Sequence, residues 1–262
     1  MRIVTFASGS SGNCTLVSEN GCHILIDAGI SMRRIKQNLA AFSLTVSDIS
    51  AILITHEHSD HISGCAMLSK YFDTPILAPK TVASRLHYSI AGIDRVLSII
   101  PVGEKFSCGA FSVTAFPTPH DADESVGYRL EGDSVFALAT DMGCVTPEIR
   151  EGLFGADAVV IESNHDVDML SSGPYTYALK RRILSRNGHL SNDDCAILAG
   201  ELAEKGTKYI ILGHLSRENN TPDKAFSTVA AALRGSGAQL FTAPADKPLC
   251  IEFARESLNA EC

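Results

Sequence analysis

Tryptophan is absent from the 262 residues, and aromatic side chains make up only 6% of them. Stacking platforms for single-stranded bases are therefore scarce. The eight cysteines contain no C-x-x-C pair. A chain of this length buries enough surface to need no disulfide staples, so reduced, mostly buried thiols are expected. Basic residues are outnumbered, 22 Lys and Arg against 30 Asp and Glu, for a formal net charge of −8. A generic nucleic-acid binder would be basic, so any affinity for a polyanion has to be local. No apolar run approaches the ~20 residues of a membrane span. The opening MRIVTFASGSSG lacks the basic start and apolar stretch of a signal peptide. Cys262 stands last, whereas a prenylation box needs its cysteine fourth from the end. The expectation is a cytoplasmic protein without a membrane partner.

What is present is a globular composition. With 45% apolar and 20% charged residues, the chain is no disordered segment, collagen or coiled coil. Strand-length apolar runs alternate with helical patterns, without linker or low-complexity stretch. Val4–Ala7, Cys14–Val17 and His23–Ile26 read as strands, the last two joined by the turn pair Asn20-Gly21. Ala51–Thr55 reads as a short buried strand and Asp60–Phe72 as a helix behind it. Further on, Ala158–Glu162 and Tyr209–Leu212 read as strands and Pro174–Ser185 as a helix. Ser191 caps another helix, ended by Gly206. Thr221-Pro222 starts one with Phe226, Val229 and Leu233 on a single face. Gln239–Thr242 and Leu249–Phe253 close the chain as strands. Strands at both ends with helices between predict an α/β fold of two sheets packed face to face, helices outside. No composition break marks a boundary, so residues 1–262 read as one domain.

The densest chemistry is Thr55-His56-Glu57-His58-Ser59-Asp60-His61, directly after a strand and before a helix. His56 and His58 are two apart, so in extended chain their side chains point the same way. Asp60 and His61 follow at the helix start. Three imidazoles and a carboxylate within six residues suit a borderline divalent cation such as Zn²⁺, and also Mn²⁺ or Fe²⁺. With nine histidines in the whole chain, chance does not account for this spacing.

The run HEHSDH resembles the H-x-H-x-D-H motif of the metallo-β-lactamase superfamily. Further residues occur in that family's order: Asp27 in ILIDAG, His120 in PTPHD, Asp141 in ALATDMG and His214 in ILGHLSRENN, each following a strand. The resemblance implies a four-layer αββα sandwich of two mixed sheets, with a site for two divalent metal ions (Zn or Mn, with Fe as a further option) along one edge. It implies that His56, His58 and His120 hold one metal, that Asp60, His61 and His214 hold the other, and that Asp141 bridges them. Asp27 would orient a ligand histidine from behind, because a metal-bound imidazole usually donates its other N–H to an acceptor.

Glu162 in ADAVVIESNHD and His189 in NGHLSND resemble the proton-donating pair of the superfamily's phosphodiesterase branch. Phosphodiester cleavage expels a poor leaving group, so a positioned acid is useful. The plainer alternative is that Glu162 merely ends a strand and His189 precedes a helix cap. The combination of FASGSSGN, HEHSDH, ESNHD, NGHLSN and LGHLSRENN resembles the YycJ/WalJ subgroup, described as 5′→3′ exonucleases on double-stranded DNA. In that light Asp60, Glu162 and His189 are the catalytic candidates. Ser8, Ser10, Ser11 and Asn13, with Ser216 and Asn219, are the substrate-binding candidates, although a glycine-serine loop is by itself a common turn. Lys180, Arg181, Arg182 and Arg186 would either meet phosphates or form a solvated helix face. His165 is left without a role, a rim contact and an exposed residue being equally open. His23 and His87 read as structural.

The spans from His120 to Asp141 and from Asp141 to His214 are too short for the extra arms or inserted domains of tRNA-processing and larger ribonuclease relatives. The expectation is a metal-dependent phosphodiesterase acting on nucleic acid, DNA ahead of RNA, most simply a 5′→3′ double-strand exonuclease. The alternatives are a hydrolase of small esters, thioesters or cyclic phosphodiesters, and a non-catalytic metal-binding module. Oligomeric state is open.

Overall fold

The computed structural model describes residues 1–254, so Cys262 lies outside the described residues. The first sheet holds β1 (Arg2–Ala7), β2 (Cys14–Glu19), β3 (Cys22–Ile26), β4 (Ala51–Leu53), β5 (Ile76–Ala78) and β6 (Leu97–Ile99), joined by the late strand β14 (Leu249–Glu252). The second holds β7 (Lys105–Cys108), β8 (Phe111–Pro117), β9 (Val126–Glu131), β10 (Val135–Ala139), β11 (Ala158–Glu162), β12 (Tyr209–Gly213) and β13 (Gln239–Thr242). Strand order is β14-β1-β2-β3-β4-β5-β6 in one and β13-β12-β11-β10-β9-β8-β7 in the other. Each sheet is antiparallel on one side and parallel on the other: β3 to β6 run parallel, as do β10 to β13. Parallel neighbours need crossovers, and helices supply most of them.

Alternation along the strands sets the layers. Ile24, Ile26 and Leu53 meet Phe136 and Leu138 between the sheets. Leu25 and Ile52 face the outer helices of the first sheet, with Ile35, Leu39, Val82 and Leu86. Ala137 and Ala139 face those of the second, with Leu198 and Leu202. Each fully buried leucine, isoleucine or valine among these stabilises the fold by roughly 1.5–3 kcal/mol. The result is the expected αββα stack of helix, sheet, sheet, helix.

Local chemistry agrees at several turns. Asn20 and Gly21 adopt positive φ of 51° and 74°, the conformation of a tight hairpin turn. Ser191 caps the helix Asn192–Glu204, and Thr221 caps Pro222–Ala232 with proline in its first turn. Three expectations are corrected. The helix over Asp60–Phe72 is two pieces, Ser59–Ile62 and Cys65–Tyr71. The break is at Gly64, whose N–H donates to Ala28 O at 2.8 Å; a Cβ there would lie 2.5 Å from Ile30 O. The helix over Pro174–Ser185 is the shorter Tyr177–Ile183, preceded by an unanticipated helix Val167–Ser172 that Asp166 caps. Phe226 is 44% exposed, and Ala225 with Val229 forms the buried face instead. No helix among the described residues is long and apolar enough to cross a membrane.

Candidate metal centre

Parallel strands deliver their carboxyl ends to one edge, and the polar residues gather there. β3 ends before Asp27, β4 before Thr55-His56, β10 before Asp141, β11 on Glu162 and β12 before His214. The loop after β8 brings His120. Asp27, Asp141 and His214 share an uncommon backbone, with φ of 61°, 54° and 53°. A left-handed non-glycine residue costs on the order of 1–3 kcal/mol, so packing has to enforce it. All three are almost fully buried, at 2% exposure each.

Two sets of donors converge. One ligand atom from each of His56, His58 and His120 lies within 4.8 Å of the others, and the same holds for Asp60, His61 and His214. Asp141 stands between the sets: its carboxylate lies 3.3 Å from His61 Nε2, 3.5 Å from His214 Nε2 and 3.7 Å from His120 Nε2.

The back of the rings is tethered. His61 Nδ1 is 2.7 Å from Asp27 Oδ2, His214 Nδ1 is 2.8 Å from Glu162 Oε1, and His120 Nδ1 is 3.2 Å from Gly188 O. His56 Nδ1 is 3.1 Å from the Thr55 hydroxyl, which lies 3.0 Å from both oxygens of Asp27. That hydroxyl has one proton to donate, and the carboxylate takes it. It therefore accepts from His56 Nδ1–H, leaving a lone pair on Nε2. His56 Nε2, His214 Nε2 and Asp141 Oδ2 are buried without a hydrogen-bond partner. Orphaned buried polar atoms are costly, and a cation among them removes the cost. The donor set fits divalent metal.

The charge balance points the same way. Burial disfavours charge on His214, but Asp141, Asp60 and Glu162 outweigh it and push its pKa up to about 10. His61 is likewise raised, burial being outweighed by Asp27 and Asp141. His56, buried among other imidazoles, is driven down. The carboxylates thus demand positive charge at this edge, which bound cations would supply.

Glu162 is fully buried and its oxygens accept from four groups. Oε1 takes His189 Nδ1 and His214 Nδ1, both at 2.8 Å; Oε2 takes the backbone N–H of Met142 at 2.8 Å and of Leu190 at 3.3 Å. Burial would raise its pKa, yet His189 and His214 hold it down at about 2. In return Glu162 overcomes the burial penalty on His189 and raises its pKa. Asp141, Glu162, His189 and His214 also lie within ligand distance of one another. The Nδ1 atoms of both rings are already committed to Glu162, which makes it a buttress.

The candidate substrate residues divide. Ser10 and Ser11 are exposed, and Ser11 Oγ accepts from Arg217 at 3.0 Å. Ser216 is half-buried, its Oγ accepting from Asn219 N at 3.2 Å. Ser8, Asn13 and Asn219 are turned inward. Ser8 Oγ accepts from His214 N at 2.8 Å, and Asn13 Oδ1 accepts from Gly9 N at 2.8 Å while its amide lies 3.0 Å from His61 Nε2. Asn219 is 1% exposed. In the basic run, Arg182 is paired with Asp121 and Lys180 donates to Ser171 O at 2.7 Å. His165 is neither exposed nor at a rim: it is 1% exposed with both ring nitrogens unpartnered. His23 binds Ser18 and His87 binds Asp94, away from the cluster.

Thr55 and Asp121 carry contacts that sequence reasoning did not assign. Each has a visible signal: Thr55 immediately precedes the histidine run, and Asp121 immediately follows His120, with Oδ1 3.2 Å from its Nε2.

Residues 23–214 match the family described as Beta-lactamase superfamily domain. The chain is 37% identical over 239 residues to a Bacillus anthracis protein named Exodeoxyribonuclease YycJ, covering 90% of each chain. It is 38% identical over 231 residues to Exodeoxyribonuclease WalJ of Streptococcus pneumoniae, covering 87% of this chain and 86% of that one. Among solved structures, Zn(2+)-bound PqqB from Methylobacterium extorquens superimposes with a TM-score of 0.73 at 19% identity, over 97% of this chain and 100% of the other. Sheet order, clustered ligands and these matches agree: the chain belongs to the β-lactamase superfamily, in its metallo-β-lactamase fold.

Proposed function

We propose that this protein is a metal-dependent phosphodiesterase acting on nucleic acid, an exodeoxyribonuclease that digests duplex DNA from the 5′ end. The observation that carries the phosphodiesterase reading is the Glu162–His189 pair standing beside the ligand cluster. The names of the relatives favour DNA. The 5′→3′ direction rests on the resemblance to the YycJ/WalJ subgroup, and the buried thiols Cys14, Cys22, Cys65, Cys108 and Cys195 suit a cytoplasmic setting.

His56, His58 and His120 would hold one cation and Asp60, His61 and His214 a second, with Asp141 between them. Such cations polarise a scissile phosphate and lower the pKa of water. Zn²⁺ or Mn²⁺ suits the mixed nitrogen and oxygen donors, and Fe²⁺ is a further option. Asp27, through Thr55 and His61, fixes which ring nitrogen faces the centre. Glu162 fixes His214 in the same way. Glu162 also keeps His189 protonated, with Nδ1–H turned toward the carboxylate and Nε2–H available to the leaving oxygen. An expelled alkoxide needs that proton; a nitrophenolate does not.

The test is digestion of end-labelled duplex DNA, single strands and nitrophenyl esters in Mn²⁺ or Zn²⁺. The reading expects duplex DNA to be degraded and phosphodiesters to be cleaved ahead of carboxylic esters. Turnover of small esters with intact DNA would replace it with a small-molecule hydrolase.

A further inference from the structure

A cleft of about 160 Å³ opens beside His189. Its lining includes Ser10, Asn164, Tyr175, Leu179, Ser216 and His189 itself. We propose that this cleft seats the sugar or base of the single nucleotide released at each turnover, and so makes cleavage exolytic. The inference rests on the phosphodiesterase reading above.

Four features carry it. First, His189 is shared: its ring lies 5.2 Å from His120 and 5.3 Å from His214 on the ligand side, and it walls the cleft as well. The proton it gives goes to the leaving oxygen, so whatever that oxygen carries occupies His189's side. Second, the space is small. Pockets for drug-sized ligands begin at roughly 300 Å³, so this one holds part of one nucleotide and no run of chain. Third, the lining suits a sugar and base: hydroxyls and an amide, apolar Leu179, and the Tyr175 ring, against which a base can stack. The one guanidinium there, Arg182, is already paired with Asp121. Fourth, wall and acid are one unit. His189 N donates to Ile183 O at 3.0 Å, and a Cβ on Gly188 would lie 2.1 Å from that same oxygen. The return loop therefore fits tightly against the helix that carries Leu179.

The step balances as a hydrolysis. A water oxygen bonds to phosphorus, and the bond from phosphorus to O3′ of the terminal nucleotide breaks with its electron pair on O3′. That oxygen takes the His189 proton, and a water proton returns to the imidazole through solvent. The shortened strand keeps the phosphate as its new 5′ end, and a mononucleotide is released.

Leu179→Trp fills the cleft and Tyr175→Ala widens it. With metal-loaded full-length protein, we expect wild type to release mononucleotides from a 5′-labelled duplex. In Leu179→Trp, kcat/KM on that duplex falls about 100-fold, the scale of a misplaced reacting group, while metal content holds. Thymidine 5′-monophosphate, titrated by calorimetry, binds about tenfold more weakly to Leu179→Trp. In Tyr175→Ala, products longer than one nucleotide appear. If wild type digests DNA but thymidine monophosphate affinity and product length are the same in both variants, the cleft has no such role. Should Leu179→Trp not fold, product length in Tyr175→Ala decides alone. If wild type cleaves no DNA at all, the phosphodiesterase reading itself fails, a distinct result.

Discussion

The two sheets follow one plan but use it differently. In the first, β3 ends before Asp27 and β4 before the histidine run; in the second, β10 ends before Asp141 and β11 on Glu162. Asp27 and Asp141 occupy matching positions and the same left-handed backbone, at φ of 61° and 54°. Yet Asp27 is occupied with Thr55 and His61, whereas Asp141 Oδ2 has no hydrogen-bond partner. What differs is the next strand along. After β4 the chain fills the space before Asp27 with a hydroxyl and imidazoles. After β11 it offers a carboxylate that recedes to hold His189 and His214, and Asp141 is left facing the centre. One backbone position thus becomes a tether in one half and, in the other, a carboxylate left open to a cation, according to its neighbour.

Removing a ligand from either half breaks the comparison most severely. Asp141→Asn or His58→Ala is expected to lose metal and DNA turnover together, by on the order of 10³-fold or more in rate, measured by elemental analysis beside a digestion assay. His189→Ala comes next: metal content stays, DNA turnover falls about 10²–10⁴-fold, and a nitrophenyl phosphodiester loses less. Equal losses on both substrates would remove His189 from the acid role.

The tethers sharpen the contrast. Asp27→Asn and Glu162→Gln should each weaken metal affinity about 10–100-fold, read by competition with a chelator. Only Glu162→Gln should also alter the pH profile. Glu162 raises the pKa of His189, so the acid form is kept at low pH and lost as pH rises through that raised value. Without the carboxylate, the alkaline fall in DNA turnover should move to lower pH. An unmoved limb would separate Glu162 from proton delivery. Thr55→Val should have the smallest effect, about 1–3 kcal/mol of stability from the unmatched Asp27 and His56 groups, visible in the melting temperature.

The same contrast explains what the sequence made legible. The first half concentrates its ligands in HEHSDH, so spacing alone announced a metal. The second scatters Asp141, Glu162, His189 and His214 across three strands and a loop, and family resemblance was needed to join them. Turn chemistry was readable at Asn20-Gly21 and at the caps Ser191 and Thr221, because those signals are local. The break at Gly64, the inward turn of Ser8 and Asn13, and the exposure of Phe226 were not, because each depends on a segment distant in sequence. Ser8 answers to the His214 backbone, and Asn13 to Asp60 and His61. His165 shows the same limit: it sits buried beside the bridge it forms with Ser191, which no pattern in ESNHD reveals.

Because a single oxygen of Glu162 steadies two rings, losing this glutamate would disturb both at once. A cousin that had switched to labile esters and discarded its acid would still need the glutamate to keep His214 aligned. When unfamiliar members are sorted by what they hydrolyse, the informative position is therefore the histidine of NGHLSN, and the glutamate by itself is a poor guide.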